Sequence, residues 1–266
     1  MRCKHLCLAA LLLLVADCRS SGSDVHPGNA GDKRPVPDDS ALVIAAVGDI
    51  MMGSTFPAGS PMPPMEGDSL FLDVADILRA ADVTFGNLEG PLIDGGRSAK
   101  CADGEPDCYA FRTPVRYVRH LVDAGFDLLS IANNHALDFG EQGRMSTIGV
   151  LDGAGLRWSG PRGSMTFIES RSRRIALIAF SYNDESNDLR DLSAARRLLA
   201  AAEKNANIIV VSFHGGAEGA KHQHVPYGEE TAFGEKRGSL REFAHAMVDA
   251  GAVSYTHLTL PTSDLV

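Results

Sequence analysis

The stretch Leu128-Leu129-Ser130-Ile131-Ala132-Asn133-Asn134-His135 reads as a short apolar strand that stops at amide and imidazole side chains, with Asp138 just beyond. The same pattern occurs three more times. Residues 43–47 run into Gly48-Asp49, residues 83–85 into Asn87-Leu88-Glu89, and residues 208–213 into His214 with Glu218 close behind. Open α/β sheets bind ligands in the crevice beyond the carboxyl ends of their strands. Four such ends collect carboxylate, amide and imidazole groups at one rim, and mixed oxygen and nitrogen donors of this kind suit a divalent metal.

The intervening segments support a sheet with helices. Residues 69–81 carry Leu70, Val74, Ile77 and Leu78 at helical spacing. Thr113-Pro114 reads as an N-cap and first helical position, Val115, Val118, Leu121 and Val122 as the buried stripe that follows, and Gly125 as the stop. Further helices are expected over about 141–152, 189–204 and 235–250, with short strands near 156–158 and 165–169. The continuous apolar run Ile175-Ala176-Leu177-Ile178-Ala179-Phe180 suits a strand covered on both faces. Alternating strands and helices define an α/β domain with helices outside, and no internal repeat interrupts it.

Composition narrows the function classes. A chain of 266 residues, 44% of them apolar, can bury one sizeable core or two small ones. The net charge of -9 and pI near 5.4 argue against a nucleic-acid partner, since phosphate binding needs a clustered basic face. The densest basic run, Arg171, Arg173 and Arg174, leads into a strand and reads as a solvated edge. His222 and His224 read as surface residues.

Residues 1–18 read as a secretory signal: Arg2, Lys4 and His5 precede an apolar stretch over 6–15 that is half the roughly 20 residues needed to span a bilayer. Leu14-Val15-Ala16-Asp17-Cys18 looks like a lipobox with Cys18 as the lipidated residue, although Asp17 stands where a small residue is usual. A membrane-anchored envelope lipoprotein and a secreted or periplasmic protein both fit. Residues 19–40, rich in Ser, Gly, Asp and Pro, read as a flexible tether, leaving 41–252 as the folded domain. Cys101 and Cys108 lie in a polar loop with six residues between them and form a candidate disulfide in an oxidising compartment.

Four runs carry a family resemblance: Ala46-Val47-Gly48-Asp49-Ile50-Met51-Met52-Gly53, Gly86-Asn87-Leu88-Glu89-Gly90-Pro91-Leu92, Ala132-Asn133-Asn134-His135 through Asp138-Phe139-Gly140, and Phe213-His214-Gly215-Gly216-Ala217-Glu218. In order, over about residues 43–252, they resemble the motifs of the bacterial CapA family, linked to poly-gamma-glutamate capsule synthesis. That family looks like a divergent branch of the metallo-dependent phosphatases. The resemblance therefore implies a two-sheet sandwich flanked by helices and a rim holding one or two divalent cations, Mn, Fe, Zn or Mg. It implies Asp49, Asn87 or Glu89, Asn134 and His214 as metal ligands. His135 would be a proton donor or charge stabiliser, oriented by Asp138.

Two positions depart from ordinary metallophosphatases: Met51 stands where they carry a His, and Asn87 where they carry an Asp, which gives Glu89 a candidate bridging role. Two functions follow. One is an exported metal-dependent hydrolase acting on a phosphoester. The other is a non-catalytic capsule-assembly component that holds an anionic polymer, in company with a capsule-synthesis membrane complex. The family pattern also continues past Ala252 into a buried strand with a Gly-His-x-Pro-His motif. Here residues 253–266 resemble translated sequencing adapter instead, so the last strands are expected to be missing and His257 is assigned no role.

Overall fold

The computed structural model describes residues 12–15, 41–60, 62–102, 105, 108–252 and 254–256. The first sheet contains β1 (Leu12–Val15), β2 (Val43–Ile50), β3 (Val83–Leu88), β4 (Leu128–Ser130) and β5 (Arg157–Ser159), in that spatial order. β1, which falls inside the stretch read as a secretory signal and outside the expected folded domain, is antiparallel to β2, and β2 through β5 are parallel. Helices α1 (Ala75–Arg79), α2 (Val118–Ala124) and α3 (Gly140–Gly153) lie in the three parallel crossovers. The second half of the chain holds β6 (Thr166–Ser170), β7 (Arg173–Ser181), β8 (Asn187–Asp188), helix α4 (Leu192–Glu203) and β9 (Ile208–His214). A hairpin of β10 (Glu230–Ala232) and β11 (Glu235–Gly238) follows, then α5 (Leu240–Asp249) and β12 (Ser254–Thr256). The second sheet runs β12-β9-β7-β6, with β8 beside β7.

Side-chain alternation stacks the two sheets. Along β7, Ile175 and Leu177 join Val83, Phe85, Leu128 and Val210 in a cluster between the sheets. Their neighbours Ala176, Ile178 and Phe180 point the other way, onto Leu199 of α4 and Phe243 and Met247 of α5. On the first sheet, Leu129 and Ile131 face Tyr117, Leu121 and Leu151. The fold is the expected two-sheet α/β sandwich flanked by helices.

One device repeats where parallel strands start. Asp82, Asp127 and Asn207 each donate a backbone N–H to the carbonyl of a residue on the neighbouring strand, Val43, Thr84 and Arg174 respectively. Each then accepts that same residue's N–H on its side chain, at 2.8, 2.7 and 2.8 Å. This reciprocal pairing sets the parallel register at the end of each sheet opposite the site.

Three sequence expectations are corrected. In 69–81 only Ala75–Arg79 is α-helical; Leu70, Leu72 and Val74 donate to carbonyls three residues back, a tighter turn that leaves Leu70 and Ile77 exposed. Thr113 is not an N-cap, because its hydroxyl donates to Gly53 O at 2.8 Å; the buried face of α2 comprises His120, Leu121 and Ala124, while Val122 is exposed. Gly125 does end α2, at φ +88°. Residues 235–238 form β11 rather than helix: at φ +93° Gly238 turns the chain, and a Cβ there would lie 2.1 Å from Leu189 Cδ1.

β12 extends the second sheet parallel to β9, with Ser254 opposite Val210. Cys18, the tether and residues 257–266, with His257, lie outside the described residues. No helix among the described residues is long and apolar enough to cross a membrane.

Candidate metal centre and its histidine–aspartate pair

The four strand ends meet. Asp49 and Asn87 are register partners near the ends of β2 and β3; the pairing slips between Ala46 and Asp49, a bulge of the kind that re-aims side chains at functional rims. Asn133, Asn134 and His135 follow β4, and His214 ends β9 opposite Ser181 of β7. Both sheets thus deliver their carboxyl ends to one place. Two glycines behind His214 make room for this. A Cβ on Gly215 would lie 2.7 Å from Arg237 O, and one on Gly216, at φ +81°, 2.4 Å from Leu240 Cδ1.

Asp49, Glu89 and His214 each offer a donor atom, and these atoms lie within 4.8 Å of one another. His214 Nε2 lies 2.7 Å from Asn134 Oδ1, while Nδ1 lies 3.5 Å from Asp49 Oδ1 and 3.4 Å from Asn87 Nδ2. Nε2 thus donates to the Asn134 carbonyl oxygen, while Nδ1 faces both the Asp49 carboxylate and the Asn87 amide. Asn87 also donates to Asp49 Oδ1 at 2.6 Å and accepts at Oδ1 from Asn133 Nδ2 at 3.2 Å. Its amide therefore brackets the carboxylate and the imidazole.

The electrostatics favour added positive charge here. Burial, then the nearby Asp49, push Glu89 up to about 7. Burial acts to lower His214, but Asp49, and then Glu89 and Glu218, outweigh it and raise this imidazole above its ordinary value. Two carboxylates and an imidazole offer donor atoms within 4.8 Å of one another. A divalent cation with mixed O and N ligands fits that donor set.

Beside the rim stands a second unit. His135 Nδ1 donates to Asp138 Oδ2 at 2.8 Å, and its Nε2 faces Glu89 Oε1 at 3.9 Å. Asp138 is fully buried; its Oδ2 also accepts Phe111 N–H at 2.6 Å, and the Phe111 ring lies over the imidazole at a centroid distance of 4.1 Å. Burial lowers His135 despite the opposing bond to Asp138, and with Nδ1–H on Asp138 the Nε2 lone pair faces the rim.

Asp49, Asn87, Glu89, Asn134 and His214 therefore share one rim, His135 is bonded to Asp138, and Cys101 is bonded to Cys108 with a Cα separation of 5.7 Å. Met51 is exposed, its sulfur accepting Gly53 N–H at 3.2 Å, and His222 and His224 are exposed as expected. Glu218 pairs with the buried Arg237, whose guanidinium also bonds Glu235 and stacks over Tyr182. Sequence reading assigned no role to Lys100, Phe111, Asn133 or Asn183. Asn133 donates to Leu88 O and its Oδ1 accepts His135 N–H; Asn183 donates to Asn133 O. Only Asn133, inside one of the four motifs, carried a signal that pointed to the site.

The fold and rim define a two-sheet α/β protein with a candidate acidic–imidazole metal centre. Residues 43–255 match the family model described as bacterial capsule synthesis protein PGA_cap, and the chain belongs to that family. It is 32% identical over 232 residues to PGA biosynthesis protein CapA of Bacillus subtilis (strain 168), covering 80% of this chain and 56% of that protein. Capsule biosynthesis protein CapA of Bacillus anthracis is 27% identical over 240 residues, covering 81% and 53%. The chain spans about half the length of these relatives. A solved Staphylococcus aureus structure, provisionally named a 5'-nucleotidase and in complex with alpha-ketoglutarate, aligns at TM-score 0.43 and 15% identity over 79% of this chain and 44% of that one.

Proposed function

We propose that this chain is a metal-dependent hydrolase of the cell envelope that serves capsule-polymer synthesis, acting on a phosphoester or on an anionic polymer. The observation that carries the reading is the convergence of Asp49, Glu89 and His214 donors within 4.8 Å. Those three would hold the cation, with Asn134 and Asn87 fixing the imidazole and the carboxylate. When bound, a divalent cation supplies Lewis-acid polarisation and a more acidic bound water. His135 then serves as the proton carrier. Asp138 holds the proton on Nδ1, so Nε2 takes a proton at the rim and returns it to a leaving group. The export signal over 1–18 and a lipid on Cys18 would put this chemistry at the envelope.

A second reading, a non-catalytic assembly component that holds an anionic polymer on the same rim, draws on Met51 and Asn87. Met51 turns outward, and Asn87 spends its amide on Asp49, His214 and Asn133.

Replacing His135 with Ala separates the two. The hydrolase reading expects turnover of a phosphodiester such as bis(4-nitrophenyl) phosphate with Mn²⁺ to fall about 10²–10⁴-fold, the usual contribution of a general acid or base, with metal binding kept. A chain without turnover, whose His135→Ala variant still supports capsule formation in cells lacking the wild-type protein, would establish the assembly reading instead.

A further inference from the structure

The segment around the disulfide grips Asp138 from both of its arms. On the incoming arm, Ala99 N–H and the Ser98 hydroxyl both donate to Asp138 O, at 2.8 and 3.0 Å. Ser98 Oγ in turn accepts the N–H groups of Lys100 and Cys101, at 3.2 and 3.0 Å. On the outgoing arm, Phe111 N–H binds Asp138 Oδ2, and Arg112 N–H and the Thr113 hydroxyl tie the chain to Ser54 Oγ and Gly53 O beside the first motif. Cys101–Cys108 joins the two arms, and Cys108 Sγ lies 3.7 Å from Lys100 O.

This clasp delivers one cation. Lys100 Nζ stands 3.5 Å from Asp138 Oδ1, 3.5 Å from His135 Nδ1 and 3.5 Å from Asn134 O, its side chain about one-third exposed. Asp138 Oδ1 is buried and accepts no hydrogen bond, so the ammonium is what balances that half of the carboxylate. A buried carboxylate that loses its partner is strongly disfavoured in place and turns toward other donors. The oxygen that holds His135 Nδ1–H would turn with it. Lys100 lies on the Nδ1 side of the ring, whereas Nε2 faces the rim.

We propose that Lys100 is a positioning residue of the site: held by the Cys101–Cys108 clasp, its ammonium keeps Asp138 aimed at His135 and so keeps the reactive nitrogen of His135 facing the rim. This rests on reading His135 and Asp138 as the proton-handling pair. It assigns Lys100 no contact with substrate, which separates it from an anion-binding lysine.

The test compares Lys100→Met, which keeps the stem and removes the charge, with Lys100→Arg and with the double variant Cys101→Ser/Cys108→Ser. Two readouts are taken: steady-state hydrolysis of bis(4-nitrophenyl) phosphate with Mn²⁺, and the ¹⁵N resonances of the His135 ring. In wild type the ring shows one tautomer, with hydrogen on Nδ1. Lys100→Met is expected to lower kcat about tenfold or more with KM within about twofold, the pattern of a lost transition-state interaction. The His135 resonances should move toward tautomer averaging. Lys100→Arg should restore both readouts, and the double serine variant should fall between. A Lys100→Met protein with unchanged kcat and an unchanged His135 tautomer overturns the proposal, as does a rise in KM alone. If wild type shows no turnover, the hydrolase reading fails and the ring resonances decide the positioning claim by themselves. If Lys100→Met does not melt cooperatively, Lys100→Gln, which also removes the charge, carries the same comparison.

Discussion

At the residue scale, a few polar side chains fix both the register and the site. Asp127 shows the balance. Its Oδ2 accepts the buried Thr84 N–H at 2.7 Å, yet burial outweighs that bond and raises its carboxyl above the ordinary range. A raised folded-state pKa means that ionised Asp127 costs stability. The cost is absent below the unfolded-chain value and grows as pH rises through the folded one. Asp127→Asn keeps an acceptor for Thr84 and removes the charge, so it should equal or exceed wild type in urea unfolding at pH 7, with the advantage vanishing near pH 3.5. Asp127→Ala should instead lose about 1–3 kcal/mol, the cost of stranding a buried donor. An Asn variant as weak as the Ala variant at pH 7 would refute this. The places of residues at the rim were legible where a strand ran into ligand-type side chains, as at Asp49, His135 and His214. They were invisible where tertiary contact alone creates them. Lys100 reaches His135 across 35 residues, and nothing in Ser98-Ala99-Lys100-Cys101 marks it except the neighbouring cysteine.

At the element scale, β3 carries the tightest constraint on the site. Its residues are buried throughout, and a Cβ on Gly86 would lie 2.5 Å from Ile50 Cδ1 and 2.8 Å from Val47 Cγ2. Gly86→Ala should therefore push β3 away from β2 and cost about 1–3 kcal/mol by overpacking, read as a lower urea midpoint at unchanged slope. Because Asn87 follows directly, the same variant should weaken metal binding. The disulfide closes a short loop; its removal should cost about 2–3 kcal/mol on the chain-entropy estimate, measured by the same unfolding titration. Strands with continuous apolar runs, such as β7 and β9, were legible because burial on both faces leaves an unbroken signature. The β10–β11 hairpin was not. Glu235-Lys236-Arg237 has no apolar period, and its conformation is dictated by the packing of Gly238 on Leu189 and of Arg237 on Tyr182 and Glu218. The helix expected over 69–81 failed for a related reason: apolar spacing alone does not tell one turn of α-helix from a succession of tighter turns.

At the scale of the whole molecule, alternation of strand and helix was enough to identify an α/β domain with helices outside, because each parallel crossover demands a helix; the two-sheet sandwich was implied by the family resemblance alone. What alternation leaves open is how the two sheets meet. The answer lies in the cluster of Val83, Phe85, Leu128, Ile175, Leu177 and Val210, which locks the sheets face to face and brings β9 to the same rim as β2 and β3. Asp49 and Glu89, at the rim of one sheet, and His214, at the end of the other, would hold a divalent cation beside that join. Saturating divalent metal should then stabilise the fold by linkage, about 2.7 kcal/mol at 100 times the dissociation constant. For a chain of this size that corresponds to a Tm rise of about 5–10 °C, reversed by chelator and absent in Asp49→Ala.

If Asp49, Glu89 and His214 form a metal centre, titration calorimetry of the metal-stripped protein with Mn²⁺ and Zn²⁺ will register it. The prediction is saturable binding at one or two ions per chain in wild type, lost or weakened at least about 100-fold in Asp49→Ala and His214→Ala, variants that still melt cooperatively. Wild-type protein that binds neither ion, or variants that bind as wild type does, would contradict the assignment of the rim as a metal site.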